Sequence, residues 1–365
     1  MQRCKKQPLP KTQNINSGLN KMLSKEAIEK TNETQDKKNL SRQTRCNVDI
    51  LNEAGTSSMG IDDKAKEVLN YLHSLPPAYD FAPEFIRKSR ENPFEHDDVT
   101  HITKQDITIP CEKHELAARI YRPDTEQTNR HPALIYFHGG GFVLGGIESY
   151  DKLLAQLCFQ SNVVIISVAY RLAPETVFPG AVEDVQKATD WIAKNAISLQ
   201  LDSTRIAIGG DSAGANLATV YCLLNKNRND FKPNFQLLIY PSIVGNESTP
   251  SRKEFSENLL LTKKLLKWFH QYYISKEQEN DPRFNVLQAK DFRHLPAVFI
   301  LTAGFDPLRD EGQMYADKLI ENGVTVKHSC YTDMFHGFIN FGVLQQSKDA
   351  VSECALALKA VMNLK

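Results

Sequence analysis

The stretch Ile206-Ala207-Ile208-Gly209-Gly210-Asp211-Ser212-Ala213-Gly214-Ala215-Asn216-Leu217 decides how this chain folds. Its first four residues have the texture of a buried strand, and Ala215–Leu224 has the texture of a helix. The five residues between them fit G-x-S-x-G. A strand that becomes a helix this quickly forces the central residue into strained backbone angles, and small neighbours are needed for close approach. The turn holds the Ser212 hydroxyl at its tip. The Ala213 amide opens the helix, so the helix dipole points at any oxygen that gains negative charge there. Composition alone would produce such a motif in about one chain in twenty of this length, so the flanking strand and helix carry much of its weight.

Outward from that turn the same alternation repeats. Ala133–Phe137, Val163–Val168, Phe235–Tyr240 and Ala297–Leu301 are short apolar, β-branched runs. Between them lie helical patterns at Leu153–Phe159, Ala181–Ala196 and Gln313–Glu321. Strands alternating with helices predict a parallel sheet covered on both faces. Upstream, Asp106–Ile109 and Leu116–Tyr121 alternate like an antiparallel pair. Ala65, Val68, Leu69 and Leu72 recur at helical spacing until Pro76-Pro77, and a short helix is expected within Phe81–Pro93. The stretch 246–281 holds no strand pattern, and Leu259–Ile274 reads as an amphipathic helix inserted between two sheet strands. Together with 61–92 it is expected to form a cap over the sheet's carboxyl edge. Residues 1–58 are rich in Lys, Asn, Gln, Ser and Thr and have no sustained apolar period. They are expected to be a disordered basic polar tail ahead of a domain spanning 59–365. Translation from Met59 is the competing reading of that stretch.

Directly after the Ala133–Phe137 strand comes His138-Gly139-Gly140-Gly141-Phe142. Three consecutive glycines leave backbone N–H groups unshielded, which suits an oxyanion hole. The expected donors are Gly139, Gly140 and Ala213. A phosphate-binding loop is excluded because no G-K-[ST] follows and G-x-G-x-x-G spacing is absent. A nucleophilic serine needs a base, and the base needs an orienting carboxylate, in the chain order Ser, acid, His for this architecture. His270 falls in the inserted helix, His294 precedes a strand and His328 lies inside a strand pattern. His336, in Asp333-Met334-Phe335-His336-Gly337-Phe338, is the one on a loop after the last strand. Asp306 lies just past the strand Ala297–Leu301 and is assigned as the acid. Asp310, a helical turn further on, is the fallback and better suited to capping a helix start. Asp333 is too close to His336 in sequence to reach its ring.

Composition narrows the partners. Forty-four basic and forty-four acidic residues cancel, so no net field favours nucleic acid or anionic membrane over a neutral small molecule. The hydrophobic fraction of 41% is ample for a large core. No apolar run is long enough to span a bilayer, and the N-terminus lacks the apolar core of a secretory signal. The seven cysteines are scattered with no C-x-x-C pair; they read as reduced thiols in a cytoplasmic protein. His114-Glu115 lacks the second histidine of H-E-x-x-H, since Ala118 stands there, so no zinc site is expected.

These blocks resemble those of the hormone-sensitive-lipase-like family of α/β-hydrolase carboxylesterases, which includes bacterial acetyl esterase. The resemblance rests on His138–Phe142, Tyr170-Arg-Leu-Ala-Pro-Glu175 with Phe178-Pro179, Gly210–Gly214, Asp306-Pro-Leu-Arg-Asp-Glu311 and His336-Gly-Phe338. They occur in the family's order over about residues 61–365. The resemblance implies the α/β-hydrolase fold with a helical cap, a Ser212–Asp306–His336 triad, Gly139, Gly140 and Ala213 as oxyanion donors, and short-acyl carboxylic esters as substrates. It implies neither metal nor organic cofactor. The Tyr170–Glu175 block looks structural, bracing the loop under the site. The expected partner is a small-molecule ester, with a homodimer as an option and no role for nucleic acid or membrane insertion. The rivals are an amidase or deacetylase acting on aryl amides, which would share the triad, and a non-catalytic receptor on the same fold, which would have lost a member of it.

Overall fold

The computed structural model describes residues 60–89, 92–125, 130–245 and 249–363, all within one compact unit, Arg45–Lys365. The polar stretch read as a tail lies outside the described residues. Eight strands form one sheet: β1 (Ile102–Pro110), β2 (Glu115–Pro123), β3 (His131–Phe137), β4 (Val164–Val168), β5 (Leu201–Asp211), β6 (Phe235–Ile239), β7 (Ala297–Phe305) and β8 (Val326–Phe335). Their spatial order is β1-β2-β4-β3-β5-β6-β7-β8. β1 and β2 pair antiparallel, β2 runs antiparallel to β4, and every pairing from β4 to β8 is parallel.

The buried strands are apolar without interruption because both faces are covered. In β3, Ala133, Ile135 and Phe137 enter one core and Leu134 and Tyr136 the other, as the two-residue period of a strand requires. The first core is closed by α4 (Gly180–Lys194), α5 (Ala213–Asn225) and α8 (Arg309–Glu321). The second is closed by α1 (Asp63–Ser74), α3 (Asp151–Ser161) and α9 (Gln345–Val361). The remaining α-helices among the described residues are α2 (Pro83–Ser89), α6 (Pro250–Glu254) and α7 (Lys263–Tyr273). In the inserted segment, α7 begins at its Thr262 cap, whose side chain accepts from the Leu265 amide. Leu259–Leu261 therefore precede the helix rather than belonging to it.

Cys111, Cys158, Cys222 and Cys354 are free. Cys330 is disulfide-bonded, which corrects the expectation of a reduced thiol there. No helix among the described residues is long and apolar enough to cross a membrane.

The parallel order sets the ends of β3, β5, β7 and β8 along one edge of the sheet. The residues just past those ends are His138, Ser212, Asp306 and His336. Ligand sites of open α/β sheets lie at this carboxyl edge.

Candidate active site

Ser212 stands alone between β5 and α5, with φ 54° and ψ −117°. Such angles cost a non-glycine residue about 1–3 kcal/mol and persist only where the surroundings enforce them. Here they do. A Cβ at Gly214 would lie 1.9 Å from the Phe137 carbonyl oxygen, and one at Gly210 would lie 2.2 Å from the same atom. The turn is thus pressed against the end of β3, which explains both glycines of the motif. The Ser212 amide donates to the Ile239 carbonyl at 2.9 Å, tying the turn to β6 as well.

His336 follows β8 on a turn completed by Gly337 at φ 85°. Its Nε2 is 3.0 Å from Ser212 Oγ and its Nδ1 is 2.7 Å from Asp306 Oδ2. Asp306 is fully buried, and its other oxygen accepts from the Leu308 amide at 2.7 Å. A carboxylate only accepts, so the imidazole proton sits on Nδ1 and Nε2 is left to accept from the serine hydroxyl. The structure therefore brings the three sequence-assigned side chains into one hydrogen-bonded row. The fallback acid is elsewhere: Asp310 accepts from the Ser251 amide at 2.8 Å and pairs with Arg309 in the first turn of α8. Asp333 accepts from Gln346. His328 meets Thr302 inside the sheet, and His114 meets Asp184.

The glycine loop departs from expectation at one position. The Gly139 amide donates to Asp211 Oδ1 at 2.8 Å and to the Tyr150 hydroxyl at 3.1 Å. Both acceptors already hold it, so it is not available to an oxyanion, which corrects its assignment as a donor. The amides of Gly140, Gly141 and Ala213 meet no acceptor among the described residues, and these three residues line the cavity beside Ser212 and His336. Their directions follow from the opposite ends of their peptide planes, because in a trans peptide N–H and C=O point apart. The Gly139 carbonyl lies 2.7 Å from His138 Nδ1, which turns the Gly140 N–H the other way. The Gly140 carbonyl accepts from the Val143 and Leu144 amides, which does the same for the Gly141 N–H. Burial drives the His138 imidazole down to about 4, so it is neutral and its Nδ1 proton is given to that carbonyl. Tyr170 stacks on His138 with ring centroids 4.5 Å apart, and its hydroxyl donates to the His138 carbonyl at 2.8 Å. Further along the Tyr170–Glu175 block, the Ala173 amide donates to the Phe142 carbonyl at 2.9 Å, and Arg87 bridges Glu175 and the Ala173 carbonyl. This block braces the glycine loop from below.

The row opens into a cavity of about 210 Å³. Its wall is largely apolar: Leu144, Leu260, Leu261, Leu265, Leu266 and Phe269. Phe269 sits on the glycine loop so closely that a Cβ at Gly141 would fall 2.2 Å from its ring. Asp211 and the Gly141 amide are the site residues that sequence reasoning missed. Leu260, Leu261, Leu265 and Leu266 lay in the inserted segment as a legible apolar pattern. Among the described residues no group of His, Cys, Asp and Glu is arranged to hold a metal ion.

A strained serine at a strand–helix turn, a histidine and a buried carboxylate in line, and backbone amides facing them define an α/β-hydrolase. The family model described as the α/β hydrolase fold matches residues 134–340. The chain is 37% identical to the carboxylic ester hydrolase LipN of Mycobacterium tuberculosis over 71% of each chain. It is 35% identical to the ethyl acetate hydrolase of Pseudomonas putida over 65% of this chain and 75% of that one. Among solved structures it resembles an α/β hydrolase enzyme from the metagenome of Lake Arreo, Spain, with a TM-score of 0.80 and 35% identity, covering 83% of this chain and 99% of that one. The chain belongs to the hormone-sensitive-lipase-like family of the α/β-hydrolase fold, and with it to the carboxylic ester hydrolases.

Proposed function

We propose that this enzyme is a serine carboxylesterase that cleaves short-chain acyl esters through an acyl-enzyme formed on Ser212. The observation that carries the proposal is the row Ser212 Oγ–His336–Asp306, at 3.0 and 2.7 Å, on the floor of an apolar cavity. His336 Nε2 takes the Ser212 proton as Oγ attacks the ester carbonyl. The oxyanion that forms is met by the amides of Gly140, Gly141 and Ala213. His336 then gives its proton to the departing alkoxide, and the acyl group stays on Ser212. Water, deprotonated by the same imidazole, repeats the attack and releases the acid. Asp306 holds the tautomer and stabilises the imidazolium of each half-reaction.

The size of the cavity supports a compact acyl group, since pockets for drug-sized ligands run from about 300 to 1,000 Å³. The Pseudomonas putida relative, named for hydrolysis of ethyl acetate, supports the same reading. We assign the cap to about residues 61–92 and 246–281, of which 90, 91 and 246–248 lie outside the described residues. Ala78, Leu260, Leu261, Leu265, Leu266 and Phe269, all within those bounds, contribute to the cavity wall. A receptor that had lost catalysis would have no need of the intact row.

The test is a chain-length series of p-nitrophenyl esters beside Ser212→Ala, with a matched ester and anilide. The wild type should prefer short acyl chains and the ester, and the alanine variant should fall to background. Full activity in Ser212→Ala would overturn the assignment of the nucleophile, and a higher kcat/KM for the anilide would make the enzyme an amidase.

A further inference from the structure

We propose that Asp211, the residue before the nucleophile, is a positioning residue whose buried carboxylate locks the base of the glycine loop and so aims the Gly140 and Gly141 amides at the oxyanion. The proposal rests on the acyl-transfer reading of Ser212 given above.

Asp211 ends β5, and its side chain reaches sideways to the neighbouring strand end. Three donors converge on it: the Gly139 amide at 2.8 Å and the Tyr136 hydroxyl at 2.9 Å on Oδ1, and the Tyr150 hydroxyl at 2.8 Å on Oδ2. The residue is 2% exposed. An anionic group this buried is costly unless hydrogen bonds satisfy it, and here each partner is a neutral donor fixed by the fold. Tyr136 is in β3, fully buried, and Tyr150 stands at the entry to α3.

The consequence for the loop follows plane by plane. The peptide between His138 and Gly139 is pinned at both ends: its N–H by Asp211 and its C=O by the Tyr170 hydroxyl at 2.8 Å. With that plane fixed, the His138 ring is placed to hold the Gly139 carbonyl, and the Gly140 amide must face the cavity. The residue that carries Asp211 is bonded directly to Ser212. One side chain thus sets the register between the attacking oxygen and the amides that receive the charge it creates. Misplacement of such donors by a fraction of an ångström weakens them where it matters, in the transition state.

The variants are Asp211→Ala, which removes the acceptor, and Asp211→Asn, which keeps an oxygen for Gly139 and Tyr136. Tyr136→Phe weakens the clamp from behind, away from the cavity. Asp211→Ala should lower kcat on p-nitrophenyl butyrate about 10- to 100-fold, below the ~10²–10³ expected for loss of a whole donor, with KM changed less than about threefold. Inhibition by an alkyl trifluoromethyl ketone, which adds Ser212 to form a tetrahedral oxyanion, should weaken by the same factor as kcat. Hydrogen exchange of the peptide spanning residues 138–145 should quicken. Asp211→Asn should recover most of the loss, and Tyr136→Phe should lower kcat and ketone affinity together by about threefold or more. The proposal is overturned if Asp211→Ala keeps kcat within twofold, or if kcat falls while ketone affinity stays at the wild-type value. Should Asp211→Ala not fold, unchanged kcat and ketone affinity in Tyr136→Phe overturn it instead. Ser212→Ala separates the two readings: if it stays active the acyl-transfer mechanism fails, and if it is inactive the Asp211 result stands on its own.

Discussion

Replacing Asp306 by Asn tests the site more sharply than removing the nucleophile, because it changes one atom and leaves the shape. Asp306 Oδ2 is 2.7 Å from His336 Nδ1, and Oδ1 is held at 2.7 Å by the Leu308 amide. In Asp306→Asn the carbonyl oxygen keeps the Leu308 contact, which turns the amide NH2 toward His336. A donor facing Nδ1 makes Nδ1 the acceptor and moves the proton to Nε2, where it faces Ser212 Oγ. The imidazole then cannot accept the serine proton, and the negative charge that stabilises the imidazolium is gone. Together these effects are expected to lower kcat by about 10⁴, or roughly 5 kcal/mol of barrier. Asp306 is not part of the cavity wall, so KM should stay within about threefold of the wild type. Asp310→Asn, whose carboxyl is engaged with Ser251 and Arg309, is the comparison and should retain kcat within about fivefold. The assay is steady-state hydrolysis of p-nitrophenyl butyrate at pH 7.5, with circular dichroism melts to establish that both variants fold. A folded Asp306→Asn within tenfold of the wild type, or an Asp310→Asn that loses more than Asp306→Asn, would refute the assignment.

Three further outcomes follow from the same geometry. Burial holds the Asp211 carboxyl at about 6, above its ordinary 3.8, with Tyr136, Tyr150, Tyr170, Tyr240 and His336 as its titratable neighbours. A folded value above the unfolded one gives stability that is present below pH 4 and lost as pH rises through 6, a span of about 3 kcal/mol. Asp211→Asn should therefore gain more in melting temperature over the wild type at pH 8 than at pH 4.5, and an equal difference at both pH values in scanning fluorimetry would count against it. Phe269→Ala empties the ring that covers the glycine loop. Its ratio of kcat/KM for decanoate over butyrate esters should rise about tenfold, and an unchanged ratio would place acyl selection elsewhere. Gly141→Ala meets both a φ of 61° and the Phe269 ring; kcat should fall about 10²–10³, measured on the same ester.

Much of the fold was legible because its signals are local. The strands of a two-sided sheet are continuous apolar runs, and Ala133–Phe137 or Ala297–Leu301 could be little else. Element ends were less legible: β5 runs on past Gly209 through Gly210 and Asp211, residues with poor strand propensity, because pairing with β3 and β6 holds them. The helix α9 shows Ala350, Val351, Cys354, Ala355 and Leu358 at helical spacing, a pattern that follows the last motif and carries no chemistry. The inserted segment read as helical from Leu259, yet Thr262 caps the helix and frees the three preceding residues. Leu260 and Leu261 go to the cavity wall as a result.

The glycine loop shows where such reading stops and why. Three consecutive glycines announce exposed amides, but nothing in His138-Gly139-Gly140-Gly141 says which way each amide faces. Direction is decided by what grips the far side of each peptide plane, and those groups come from distant parts of the chain. Tyr170 holds the His138 carbonyl from 32 residues away, and Asp211 holds the Gly139 amide from 72. The aspartate stands inside the very motif that identified the nucleophile, where G-x-S-x-G treats it as a free position. Its chemistry becomes visible once β3 and β5 are neighbours, since their parallel register sets Phe137 beside Gly210. From that pairing the two halves of the site follow together. One strand end presents the attacking oxygen, the next presents the amides, and a carboxylate between them ties each to the other.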